Sequence, residues 1–98
     1  MPVIRSPKRR DFTVVGNAYL KDKTLSLRAK GLLTMMLMLP AGWNYSARGL
    51  TALLPEGRDA VLLVLNELEL AGYLQRYQPR TESGRLGKME YLIRDKVG

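Results

Sequence analysis

Apolar residues recur along this chain with two different periods. Between Leu27 and Leu39, residues Ala29, Leu32, Leu33, Met36 and Leu37 gather on one broad face at helical spacing. Ser26 supplies an N-cap hydroxyl before them, and Pro40 and Gly42 end the run. Thr34, Met35 and Met38 fall away from that face, and the two methionines add apolar surface there. A shorter helix is predicted over Ala47–Leu54, capped by Ser46, with Leu50, Leu53 and Leu54 inward. Pro55-Glu56-Gly57 makes a tight turn. A third helix is expected over Arg58–Ala71, with Val61, Val64, Leu65 and Leu68 inward. Asp59 suits the positive end of its dipole, and Gly72 is the natural left-handed terminator.

The second period is two. Tyr73–Arg80 reads as a strand, Thr81–Lys88 as a flexible loop around Gly84 and Gly87, and Met89–Arg94 as a returning strand. Phe12-Thr13-Val14-Val15 is a short β-like run stopped by Gly16-Asn17, and it is expected to add a strand at the hairpin edge. Trp43-Asn44-Tyr45 links the first two helices. The predicted fold is therefore α+β, a winged helix-turn-helix with three helices, a C-terminal β-hairpin wing and a short N-terminal strand. Residues 1–11 are read as a basic flexible arm and residues 12–98 as the domain itself.

Composition narrows the chemistry. The chain has no cysteine and no histidine, which removes a thiol nucleophile, a cysteine zinc site and the commonest general base. The carboxylates are scattered beside basic residues, with no pair set aside for acid–base work. No enzyme activity, cofactor or metal is expected. No apolar stretch is long enough to span a bilayer, and no apolar core follows the basic N-terminus as in a signal peptide, so a cytoplasmic protein without a membrane partner is expected.

The net charge of +7 is unevenly distributed. Arg5, Lys8, Arg9 and Arg10 crowd the first ten residues, and the segment after Gly72 is also basic. Between Gly31 and Ala71, Arg48 and Arg58 stand against Glu56, Asp59, Glu67 and Glu69. Basic ends around a slightly acidic middle suggest a polyanionic partner.

Several stretches together resemble a known family. They are Leu27-x-Ala29-x-Gly31-Leu32-Leu33, Leu39-Pro40, Trp43-x-Tyr45-Ser46, Glu67-Leu68-Glu69-x-Ala71-Gly72-Tyr73-Leu74, Gly84-Arg85-x-Gly87 and Glu90-Tyr91-x-Ile93. In combination they resemble the helix-turn-helix domain of phage replisome organisers and plasmid-type replication initiators of Gram-positive bacteria. The resemblance implies a DNA-binding domain, acting with replication proteins, followed in the full protein by a longer C-terminal part. It also implies basic or small polar residues where Leu62 and Leu63 stand in this chain.

The outward positions of the third helix are Asp59, Leu62, Leu63, Asn66 and Leu70, with no cation after Arg58. Leucines cannot pair with base edges or neutralise phosphates. DNA contacts are therefore expected from Arg9 and Arg10 of the arm, from Arg58, and from Arg80, Arg85 and Lys88 of the wing. Leu62, Leu63, Asn66 and Leu70 are the expected protein interface, forming a homodimer. The partners expected are double-stranded DNA, a second copy and replication proteins. A protein-interaction module and a small transcriptional regulator are the alternative readings.

Overall fold

The computed structural model describes residues 11–97. Arg9 and Arg10 of the expected arm lie outside the described residues. Four helices and one hairpin follow in order: α1 (Ala18–Lys21), α2 (Leu27–Met38), α3 (Ala47–Ala52), α4 (Arg58–Ala71), β1 (Leu74–Tyr77) and β2 (Glu90–Ile93). Among the described residues no helix is long and apolar enough to cross a membrane.

The caps read from sequence are made. Ser26 accepts from the Ala29 amide at the start of α2, and Ser46 accepts from the Gly49 amide at the start of α3. The α2 cap has a further support. Glu67 of α4 takes hydrogen bonds from the Ser26 amide at 2.8 Å and its hydroxyl at 2.7 Å, fastening α4 to the beginning of α2. Gly72 ends α4 with φ of 90°. Its amide donates to the Glu69 carbonyl and the Tyr73 amide to Leu68, the two bonds of a Schellman motif. Tyr73 and Leu68 are both buried, which adds the apolar contact usual to that motif.

The core gathers Ala29, Leu32, Leu33 and Met36 of α2, Leu50 of α3, Val61, Leu65 and Leu68 of α4, and Leu74 of β1. Strands β1 and β2 pair antiparallel, with Leu74 opposite Ile93 and Arg76 opposite Tyr91. Leu74, Arg76, Tyr91 and Ile93 alternate toward the helices, while Gln75, Tyr77, Glu90 and Leu92 are exposed.

Several expectations are corrected, among them Leu53, read as inward but exposed. The N-terminal strand does not form: the sheet has two strands, and among the described residues 12–15 make no backbone hydrogen bond. Their alternation is real, since Val15 is half-buried against the core and Val14 is exposed. Alternation aims side chains, but a strand also needs a partner backbone within hydrogen-bonding reach. Here the segment leads to Gly16, which lies against the Asp95 side chain beyond the end of β2. Among the described residues the helices number four, not three, because α1 precedes α2. Its Tyr19 is fully buried and its hydroxyl lies 2.6 Å from Thr34 Oγ1 on α2. That contact half-buries Thr34, which the helical wheel placed away from the core. Met35 is also half-buried against the core.

Asp22, which closes α1, takes hydrogen bonds from the Thr24 amide and hydroxyl and, at 2.7 Å, from the Tyr73 hydroxyl. The Thr24 hydroxyl, then Tyr73 and the Thr24 amide, hold the Asp22 carboxyl at about 2. The bond to Asp22, with burial and the facing charge, pushes the Tyr73 phenol up to about 12. A lowered carboxyl gives stability that is present above its unfolded value and lost as pH falls through its folded one; a raised phenol gives stability lost on the alkaline side. The stability difference between wild type and Tyr73→Phe should be flat between about pH 5 and 9, and should shrink below about pH 4 and above about pH 10. Urea midpoints across pH measure it; a difference unchanged at both extremes would mean the bond is not made.

Candidate functional site

Helices α3 and α4, the turn between them and the hairpin after α4 form the candidate surface of this helix-turn-helix-like arrangement. The hairpin folds back beside α4. Arg76 of β1 donates to Glu69 at 2.6 Å and to Asn66 Oδ1 at 3.1 Å, and its guanidinium lies 5.9 Å from the centre of the Tyr91 ring. Tyr91 stacks on Tyr45 at 5.5 Å, and Tyr45 meets Trp43 edge-on at 4.9 Å. The Tyr45 hydroxyl donates to the Met36 carbonyl, and burial raises its pKa. Arg76 lowers the pKa of Glu69. This ladder braces the wing against α4 and the link before α3. The sequence reading missed it, although an arginine at an inward strand position, opposite a tyrosine, was the available signal.

Arg80, Arg85 and Lys88 are all exposed and share one loop. Arg80 and Leu86 form a bridge, Thr81 receives and returns hydrogen bonds around Arg85 and Gly84, and Gly84 adopts φ of 80°. These bonds shape the segment read as a flexible loop into a turn. Arg58 is exposed at the first residue of α4.

The outer face of α4 carries two exposed leucines among polar residues. Leu63 is 69% and Leu70 91% exposed, with Asp59 and Asn66 also exposed. Leu62 is half-buried rather than outward, on the side of the helix where Arg76 reaches Asn66 and Glu69. Asn66 has its carbonyl occupied by Arg76.

Between α4 and α2 lies a groove of about 400 Å³ that the helical periodicity did not predict. Leu32 and Val61 form its floor; Gly31 and Met35 of α2 and Ala60 and Val64 of α4 form its walls. Arg28 and Glu56 also border it. Among the described residues the one ion pair is Arg76–Glu69, so neither of these charges is paired.

Compared with models of protein families, with curated proteins and with solved structures, the chain matches none.

Proposed function

We propose that the domain binds double-stranded DNA, mainly through phosphates, as a winged-helix module of replication-initiator or replisome-organiser type. The observation that carries this reading is the helix-turn-helix followed by a braced hairpin whose turn exposes Arg80, Arg85 and Lys88. The sequence resemblance supports the replication role. Because α4 offers leucines rather than donors, the binding has little sequence preference.

The test is fluorescence anisotropy of the 98-residue chain with short duplexes across a salt series. Each phosphate contact adds about −0.9 to the slope of log affinity against log salt, so Arg85→Ala with Lys88→Ala should flatten it by about two and weaken all duplexes alike. No binding to any duplex in low salt would end this reading.

A second reading is favoured by Leu63 and Leu70. A solvent-facing leucine stripe on the helix that would otherwise enter a groove of DNA suits a protein contact. The two readings are compatible, since a partner on α4 leaves the wing turn free.

A further inference from the structure

The wing rests on the helices near its base only. Tyr73 and Leu74 are buried, and Ile93, opposite Leu74, is half-buried against the core. One step outward on the same face, Arg76 stands opposite Tyr91, and both are half-buried. The inward positions that follow, Gln78 and Arg80 after β1 and Met89 before β2, are exposed. Arg76 and Tyr91 are therefore the outermost inward pair that touches the body.

An arginine at an inward strand position needs a reason, and this one is only 16% exposed. An apolar side chain there would bury area without direction. Arg76 instead donates from Nη2 to Glu69 at 2.6 Å and to Asn66 at 3.1 Å, two acceptors on neighbouring turns of α4. Its guanidinium also lies over Tyr91, which stacks on Tyr45 of the link before α3. Directional bonds from a planar group fix an angle as well as a distance.

The wing cations lie beyond this point. At about 3.3 Å per residue, Arg80 is roughly 13 Å along the strand from Arg76. A tilt of about 10° at Arg76 would carry Arg80 by about 2 Å, enough to break a hydrogen bond to a phosphate. A two-stranded hairpin does not hold such an angle by itself.

We infer that Arg76 is a positioning residue for duplex binding. Through Glu69 and Asn66 it sets the angle between α4 and the wing, so that Arg80, Arg85 and Lys88 meet phosphates without the wing having to be ordered first. Arg76 itself touches no DNA. The inference rests on the DNA reading proposed above. Stability is a poor explanation for the pair, because replacing both partners of a buried ion pair by apolar side chains of similar volume is often neutral.

The test uses the 98-residue chain carrying Glu69→Met and Arg76→Met together. The double exchange leaves the net charge unchanged and should keep the melting temperature close to that of wild type. Anisotropy across a salt series should show affinity about tenfold weaker for every duplex, with the slope against log salt unchanged, because ordering is lost and no phosphate contact is. Without DNA, the amides of β1 and β2 should exchange faster than in wild type. Arg76→Lys keeps the charge and the stem but not the planar fork. It should weaken binding by about threefold, and it decides the matter if the double variant melts well below wild type. Variants that bind as tightly as wild type would overturn the inference and leave the DNA reading standing. A slope flatter by about 0.9 in the double variant would also overturn it, since Arg76 would then be a phosphate contact. A wild type that binds no duplex would end both readings together.

Discussion

Leu65→Ala should cost about 3 kcal/mol and lower the melting temperature by about 12–24 °C. Leu65 is completely buried at the centre of α4, among the residues facing α2 and α3. Removing its side chain loses the transfer free energy of buried methyl groups and leaves a cavity that well-packed neighbours only partly close. A domain of this size has roughly 5–15 kcal/mol of total stability, so the loss is a large fraction of it. Leu70, five residues on along the same helix, is 91% exposed, and Leu70→Ala should stay within about 0.5 kcal/mol of wild type at concentrations low enough to keep the chain monomeric. Thermal melts of the two variants decide the matter. Equal shifts would mean that the buried and exposed faces of α4 are wrongly assigned.

Gly72→Val should cost about 2–3 kcal/mol and loosen the wing, for two reasons that add. A β-branched residue is strained in the left-handed conformation that Gly72 holds with φ of 90°. A Cβ there would also lie 3.3 Å from the Val97 side chain, which would have to give way. The two Schellman hydrogen bonds meet at this residue, so moving it moves the start of β1 and the point from which Arg76 reaches Glu69. Hydrogen exchange should show faster opening of β1 and β2 than in wild type, along with the lower melting temperature. A variant as stable as wild type would show that the positive φ is not required.

The extent to which the sequence disclosed this structure follows from the physics of each element. Helices α2 and α4 are long enough to repeat their apolar spacing several times and carry side-chain or glycine signals at their ends, so their limits were legible almost to the residue. The hairpin was legible from alternation around a glycine-rich turn, although its regular strands are shorter than the predicted ones. Helix α1 was not legible, because four residues cannot display a helical period. It is held by Tyr19 reaching a residue far along the chain. The run 12–15 failed for the opposite reason: its local pattern was right, but ladder partners are a tertiary matter. Leu63 and Leu70 were recognised as exposed from the wheel, whereas the half-burial of Leu62 depends on how the wing folds back. The groove was illegible for the same cause. It forms where α2 and α4 bring together Gly31 and Ala60, two small residues that lie 29 positions apart in the sequence.

The approach of Gly16 to Asp95 has a consequence for whatever is attached to the domain. A Cβ on Gly16 would stand 2.8 Å from the Asp95 carboxylate, so the chain at Gly16 and at Asp95 lies close together. A segment joined before Gly16 and another joined after Asp95 are tethered at nearly the same point. Each experiences the other at a high local concentration set by tether length rather than by the amount of protein in solution. Weak affinity between two such appendages, or of both for one ligand, would be amplified by the domain acting as a clasp, without any new contact on its surface.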